Sequence, residues 1–135
     1  MVAPRSNFIV SMGGTLDGQG ATWHAWKSTG DSKKLVQMGN DGVPVAKRIF
    51  GEGHTLRPNF VQPMRCRNVL IEGVRIRRSP MWEITPCLCT NVIVRGVNIV
   101  SHGPNNDGCD PESCRDVLIE NCIFDTGDDC IAIKS

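Results

Sequence analysis

The sequence predicts an all-β protein, a right-handed parallel β-helix whose short strands stack coil upon coil. The first observation is an internal repeat, because three segments align without gaps at offsets of 23 and 25 residues: 61–76, 84–99 and 109–124. The second is that each repeat carries two short β-branched runs separated by Gly or Asn, the pattern of two strands with a bend between them. The third is a composition rich in glycine (14) and proline (8), which suits a turn-rich β protein better than a helical one.

The register of the repeat predicts which side chains form the core. Apolar residues at alternating positions of the first strand are expected to point inward, and they are Val69, Val92, Val117, Ile71, Val94 and Ile119. The charged side chains expected to stack outward, each beside its opposite on the next coil, are Glu72, Arg95 and Glu120. The apolar residues at outward positions, which a covering loop would explain, are Leu70, Ile93 and Leu118.

Seven cysteines, an odd number, allow more than one interpretation. Cys66, Cys89 and Cys114 fall in register and are interpreted as a ladder of small buried side chains, since free cysteine behaves as one. A metal site or disulfides are the alternative, but these three show no CxxC pairing and no histidine shares their register. Some of the other four can pair, and the sequence does not say which: Cys87, Cys109, Cys122 and Cys130.

Composition and charge exclude two classes of partner. The net charge of +1 indicates no nucleic acid and no membrane surface as a partner. The chain has no apolar run near the roughly 20 residues that span a bilayer. Residues 1–6 lack an apolar segment, so no signal peptide is visible.

Three aspartates interrupt the repeat beside glycines, although aspartate is depleted from strands. Asp107 precedes the third repeat, and Asp128 and Asp129 follow it one coil later. If Cys109 and Ile133 are equivalent, Asp129 lies one coil above Asp107 and two residues back, about 8 Å between backbones. That spacing falls within the roughly 6.5–9.5 Å between the carboxyls of an inverting glycosidase.

Crowded carboxyl groups favour acid–base chemistry, because like charges raise the pKa of at least one of them. A protonated acid beside ionised bases is what glycosidic cleavage needs. Asp128 and Asp129 can share a site only if the backbone turns, and Thr126-Gly127 makes a turn plausible. The alternatives are ordinary Asn/Asp-Gly turns or a calcium site.

At these residues the chain resembles the polygalacturonase family, glycoside hydrolase family 28. The family signatures N-T-D-G and G-D-D-C correspond to residues 105–108 and 127–130, with Asn106 in place of the threonine. Other segments that fit the family are Gly14 to Trp26, Leu56 to Pro58 and Ser79 to Trp82.

The resemblance implies a pectin lyase-like solenoid that hydrolyses α-1,4-galacturonosyl bonds of pectin with inversion. It implies that Asp128 is the general acid and that Asp107 and Asp129 activate water, with no metal or organic cofactor. Lys134 is interpreted either as a ligand of a substrate carboxylate or as a solvated strand-end lysine. Trp23 and Trp26 either stack on sugar or pack at the end of the helix.

The resemblance also gives expectations for the whole protein. The partner is a pectic polysaccharide, the compartment is extracellular or periplasmic (secreted), and the complete protein is a monomer. Two family motifs that follow G-D-D, a G-H-G histidine and an R-I-K pair, are not found after Gly127; His102 precedes Asp107 and lies on another coil. Residues 1–135 are therefore expected to be a truncated β-helix, an N-terminal or internal portion of a catalytic domain that continues beyond 135 and is inactive alone.

Two other functions remain open at this point. One is a hydrolase of another pectic polymer, rhamnogalacturonan or xylogalacturonan, on the same scaffold. The other is a non-catalytic carbohydrate-binding β-helix fragment.

Overall fold

Two parallel four-stranded sheets form two faces of a stack of coils, in a computed structural model that describes residues 7–11 and 13–135. Together with the structural neighbours reported below, the sheets confirm the predicted parallel β-helix. The first sheet runs, in spatial order, β1 (Phe8–Ser11), β3 (Arg67–Glu72), β5 (Thr90–Arg95) and β7 (Arg115–Glu120). The second runs β2 (Thr15–Asp17), β4 (Arg75–Arg77), β6 (Asn98–Ser101) and β8 (Ile123–Thr126).

The pairing register of these strands is the one that the repeat predicts. Ile71 pairs with Val94, which pairs with Ile119 on the next coil. The Glu72 and Arg95 side chains form an ion pair on the outer face, as expected. The fully buried inward residues make one continuous core that includes Ile71, Ile76, Val92, Val94 and Ile99.

The bend between the two sheets depends on a left-handed backbone at one position in each coil. Gly73 and Gly96 have φ angles of 65° and 58°, and Asn121 takes the same conformation at 53°. Glycine adopts this conformation without steric cost, and asparagine is among the side chains that tolerate it best. The Gly, Gly, Asn pattern of the repeat therefore marks the corner that it was predicted to mark.

A third face of each coil consists of isolated parallel bridges. One ladder joins Ile84 to Cys109 and Cys109 to Ile131. The second joins Cys87 to Glu112 and Glu112 to Lys134. This face carries the predicted aspartates, so its register determines the geometry of the site.

The cysteine ladder packs inside the coils, as predicted. The Cys66 backbone N–H donates to Cys89 Sγ at 3.4 Å, and the Cys89 N–H donates to Cys114 Sγ at 3.4 Å. Cys66 and Cys89 are buried. The sulfur atoms of Cys89 and Cys114 thus accept hydrogen bonds from the neighbouring coil, which supports the interpretation of small buried side chains.

A helical segment that the all-β prediction did not include lies between β2 and the first bridge. It comprises α1 (Ala21–His24), a 3₁₀ turn (Ala25–Ser28), α2 (Asp31–Asn40) and a second 3₁₀ turn (Val45–Lys47). The Asp31 carboxylate at the start of α2 accepts the Thr55 backbone N–H at 2.7 Å, which ties α2 to the segment that leads to the first bridge at Val61. Among the described residues, no helix is long and apolar enough to cross a membrane.

The outward apolar row is only partly covered. Leu70 and Ile93 are half-buried beside each other on the outer face of the first sheet, and Leu118 is 47% exposed. Lateral contact between neighbouring coils accounts for part of this burial.

Candidate active site

The three predicted aspartates converge on the third face of the helix. One carboxylate oxygen from each of Asp107, Asp128 and Asp129 lies within 4.8 Å of the other two. Asp107 is 4% exposed, whereas Asp128 and Asp129 are exposed. The cluster therefore has one interior carboxyl and two that face solvent.

The stacking of Asp107 and Asp129 corrects the geometry expected from the sequence. Cys109 pairs with Ile131 and not with Ile133, so the local offset is 22 residues instead of 24. The Gly108 N–H donates to the Asp129 carbonyl at 2.9 Å, which follows the same register. Asp129 thus lies directly above Asp107, one strand spacing of about 4.8 Å away, and not at the diagonal of about 8 Å.

The predicted turn before Asp128 is present and lets two consecutive aspartates share one site. Strand β8 ends at Thr126, whose hydroxyl donates to the Asp128 carbonyl at 2.9 Å. The Asp129 backbone N–H donates to Asp128 Oδ1 at 3.1 Å. Only glycine fits at position 127, because a Cβ there would lie 2.6 Å from the Gly103 carbonyl oxygen.

Asn106, which stands where the resemblance expects threonine, anchors the loop before Asp107. Its buried side-chain oxygen accepts the Ser101 hydroxyl at 2.6 Å and the Gly103 N–H at 2.8 Å. Its amide nitrogen donates to the Ser79 and Met81 carbonyls, both at 3.3 Å. These bonds satisfy the side chain completely, so Asn106 positions the neighbouring Asp107.

Asn105 links the cluster to Arg57, in the segment 56–58 that resembles the family. Its side-chain amide donates to Asp128 Oδ2 at 3.4 Å, and its oxygen accepts from Arg57 at 2.6 Å. Arg57 also donates to the carbonyls of Pro104 and Pro80. The guanidinium thereby fixes the side-chain orientation of Asn105, with its N–H₂ toward the carboxylate. Sequence reasoning did not assign either residue to the site.

Two further carboxyl groups behind Asp107 were also missed. Asp110 and Glu83 are fully buried. Burial, reinforced by Asp107 and Asp110, raises the pKa of Glu83 to about 8. Burial and the neighbouring Asp107 raise the pKa of Asp110. Two features of the sequence could have pointed to these groups. Glu83 is a charged residue directly before the inward Ile84, and Asp110 follows Asp107 by three residues.

Lys134 lies against these interior carboxylates. Its Nζ is 3.2 Å from Asp110 Oδ2 and 3.7 Å from Asp107 Oδ2. It also lies 4.3 Å from the centroid of the Trp82 ring. Substrate binding by Lys134 stays a prediction, while the solvated strand-end interpretation does not fit a side chain that is 29% exposed.

The pKa of Asp107 is raised overall by neighbours and burial that act in opposite directions. Burial and the Asp128 carboxylate raise the pKa of Asp107, and the Lys134 ammonium lowers it. Asp107 is one of the two residues to which the resemblance assigns water activation, a role that needs the ionised form. The balance between burial, Asp128 and Lys134 therefore determines whether Asp107 is ionised and able to activate water.

The spacing of the cluster suits a shared water. A water that hydrogen-bonds to two oxygens at about 2.8 Å each can bridge up to about 5.6 Å, more than the 4.8 Å within which the three oxygens lie. The spacing therefore supports activation of a water by these carboxylates.

A single cation could also reach these three oxygens. Calcium takes about six to eight oxygen ligands, so three carboxylates provide only part of such a shell. Among the described residues, the cluster of Asp107, Asp128 and Asp129 is the group with this convergence.

The histidine and the two tryptophans that the sequence analysis considered lie outside the group of three aspartates. His102 Nε2 is 2.9 Å from Asp125 Oδ1, with both side chains more than half exposed. Trp26 packs edge-on against Trp23, with ring centroids 4.7 Å apart. Trp26 also lines a groove of about 630 Å³ that runs between α2 and the coils to Asn105 and Trp82.

Comparison with known proteins gives a consistent family. The sequence profile described as glycosyl hydrolases family 28 matches residues 3–135. A probable polygalacturonase of Vitis vinifera is 30% identical over 129 residues, covering 94% of this chain and 22% of the relative. A polygalacturonase of Saccharomyces cerevisiae is 29% identical over 133 residues, covering 94% of this chain and 30% of the relative.

Solved structures match as well. An exopolygalacturonase from Thermotoga maritima superposes with a TM-score of 0.88 at 53% identity, over 91% of this chain and 31% of that one. A family 28 exopolygalacturonase from Yersinia enterocolitica gives a TM-score of 0.64 at 20% identity, over 90% of this chain and 25% of that one, which shows the fold. The chain thus spans 22–31% of the length of these relatives.

Proposed function

Because the chain belongs to glycosyl hydrolases family 28, we propose that it provides the catalytic aspartates of a glycosidase that hydrolyses α-1,4-galacturonosyl linkages of pectin. The observation that carries this proposal is the convergence of Asp107, Asp128 and Asp129 within 4.8 Å. A family likeness alone could belong to a non-catalytic β-helix. A convergent set of carboxyls, with one buried and two facing solvent, is the arrangement that hydrolysis needs.

The proposed step uses only these side chains and a water. Asp128, which faces solvent, protonates the glycosidic oxygen as the bond to the anomeric carbon breaks. Asp107 and Asp129, stacked on successive coils, take the proton of a water that attacks the anomeric carbon. The new C–O bond replaces the old one, and the proton that Asp128 loses is balanced by the proton that the Asp107–Asp129 pair gains. The proposed step requires no metal or organic cofactor.

The likeness to the Thermotoga maritima exopolygalacturonase supports a finer proposal about where the enzyme cuts. At 53% identity over 91% of this chain, we infer that cleavage proceeds from a chain end of the polymer. The size of early products tests this inference. Exo action releases mono- or disaccharides while the viscosity of polygalacturonate stays high, and an early fall in viscosity would contradict it.

A polymeric substrate also bears on the compartment. Pectic polysaccharides are too large to enter a cell intact, so a protein that acts on them is expected outside the cytoplasm, secreted or periplasmic. Fractionation of cells that produce the natural protein, followed by assay of each fraction, tests this expectation. Activity confined to the cytoplasm would contradict it.

Substitution of the proposed acid provides the direct test of hydrolysis. In the natural protein that carries this sequence, Asp128→Asn is expected to reduce reducing-sugar release from polygalacturonate by 10²-fold or more, as loss of a general acid does. The matched control is Asp116→Asn, because Asp116 is an exposed aspartate with a φ of 57° that asparagine also tolerates.

The substrate panel separates the alternatives. Preference for rhamnogalacturonan or xylogalacturonan over polygalacturonate would replace the proposed substrate and keep the mechanism. A folded natural protein that hydrolyses none of the three polymers would refute the enzyme proposal and favour a carbohydrate-binding role. Equal activity of Asp128→Asn and Asp116→Asn would refute the role given to Asp128.

A further inference from the structure

The position of Lys134 is determined by contacts in the protein. Its backbone N–H donates to the Pro111 carbonyl at 2.9 Å, and its carbonyl accepts the Ser113 N–H at 2.9 Å. Its Nζ is 3.2 Å from Asp110 and lies over the Trp82 ring at 4.3 Å. The side chain is thus held from two directions with its ammonium behind Asp107, 3.7 Å from Asp107 Oδ2.

The interior of this face contains more acidic groups than positive charge. Asp107 faces Asp110 and Glu83 on the inner side and Asp128 and Asp129 on the outer side. Among the described residues, Lys134 is the cation within 4 Å of Asp107 or Asp110. A buried carboxylate without a cation is strongly disfavoured relative to its neutral form. Without Lys134, protonation would therefore be the easiest way to relieve the charge at Asp107.

We propose that Lys134, held by Asp110 and the Trp82 ring, is a positioning residue that keeps Asp107 ionised so that it can activate water. This role rests on the proposed hydrolysis and differs from the substrate-binding role predicted for Lys134 from the sequence. It requires the ammonium to act through Asp107 and not on the sugar. Removal of the Lys134 ammonium should therefore change the titration of Asp107 even in the protein without substrate.

The test is a pair of substitutions in the natural protein, read by the titration of one carboxyl. The Asp107 side-chain ¹³C signal is assigned by its absence in Asp107→Asn and followed against pH without substrate. Lys134→Met is expected to raise the Asp107 midpoint by about one pH unit or more, since an opposite charge within about 4–6 Å shifts a carboxyl by one to three units. The acidic limb of kcat/KM should move up by the same amount, while KM on polygalacturonate at a pH above both limbs stays within about twofold.

Asp110→Asn is a second test and Lys33→Met is the control. Asp110→Asn removes the carboxylate that holds the Lys134 ammonium, so the Asp107 midpoint should rise, in the same direction as in Lys134→Met. A general loss of packing would raise the midpoint in Lys134→Arg as well. Lys33 is an exposed lysine of α2, and its replacement should change neither quantity. Lys134→Arg keeps the charge and should return the midpoint most of the way to the wild-type value.

Each result decides the proposal. An unchanged Asp107 midpoint in Lys134→Met, together with a raised KM, overturns it and supports the substrate-binding role. If Lys134→Met does not fold, an unchanged or lowered Asp107 midpoint in Asp110→Asn overturns it. A shifted midpoint in a protein that hydrolyses no pectic polymer would support the electrostatic role and refute the proposed function separately.

Discussion

Glu83→Gln should make the protein more stable at neutral pH, because it removes a buried group that is forced to remain neutral. Glu83 is 0% exposed, and the nearest acidic neighbours are Asp107 and Asp110. Among the described residues, no Lys, Arg or His lies within ion-pair distance of its carboxyl. Glutamine has nearly the same shape and cannot ionise.

The magnitude follows from proton linkage. The folded protein holds the Glu83 proton up to a pKa of about 8, whereas the unfolded chain releases it near the usual glutamate pKa of 4.5. Between these values the unfolded state binds fewer protons, so the free energy of unfolding falls as pH rises, by about 1.4 kcal/mol per unit. This contribution is fully present below 4.5 and is lost progressively toward pH 8. At pH 7 the loss is about 3 kcal/mol.

Urea denaturation of wild type and Glu83→Gln at pH 4 and pH 7 measures the effect. The difference in unfolding free energy between the two proteins should change by about 3 kcal/mol in favour of the variant from the lower to the higher pH. Constant packing differences cancel in this comparison. Glu52→Gln is the control, because Glu52 is exposed on a loop and its substitution should show little change.

A difference that stays flat between pH 4 and pH 7 would refute the reasoning, since it would mean that Glu83 is ionised in the folded protein or reached by water. A change of the opposite sign would show that its carboxylate is stabilised by a contact with a cation.

Two more predictions concern the core and the turn. Ile99→Ala should lower the free energy of unfolding by about 2–5 kcal/mol, because Ile99 is fully buried in the stack; urea denaturation checks this, and Ile9→Ala, at 64% exposed, should cost far less. Gly127→Ala should reduce kcat on polygalacturonate at least tenfold with a smaller effect on KM, because its Cβ would lie 2.6 Å from the Gly103 carbonyl oxygen and displace the turn that carries the aspartates. Gly51→Ala, where a Cβ meets no atom within 4 Å, should leave kcat unchanged.

The register of the strands could be predicted because a slip of one residue would be costly. Moving a strand by one position turns its apolar residues outward and its charged residues into the core. The alternation of Ile71 with Glu72 on one coil, and of Val94 with Arg95 on the next, permits only one alignment. The observed pairs follow that alignment.

The register of the face that carries the aspartates was predicted less accurately, because the number of residues per coil varies from one face to another. The repeat ends at residue 124, and the next coil offered no apolar ladder with which to align Cys109. Ile131 and Ile133 were equally acceptable partners in composition, and the structure selects Ile131. An error of two residues placed Asp129 on a diagonal and gave too long a distance to Asp107.

The helical segment and the interior carboxyls escaped prediction for other reasons. The segment 21–47 falls outside the repeat, so the period that identified the strands says nothing about it. Glu83 and Asp110 become interior only when three coils stack, and a single strand pattern does not show which polar residues the next coil will cover. Their burial follows from tertiary structure alone.

The anomeric configuration of the first product tests the central claim most directly. Proton NMR during hydrolysis of an oligogalacturonate by the natural protein separates newly formed β reducing ends from α ones before mutarotation mixes them. A water activated by Asp107 and Asp129 attacks opposite the bond that Asp128 protonates, so the α-linked substrate should first give the β anomer. The α anomer appearing first would mean retention and would contradict the roles assigned to the three aspartates.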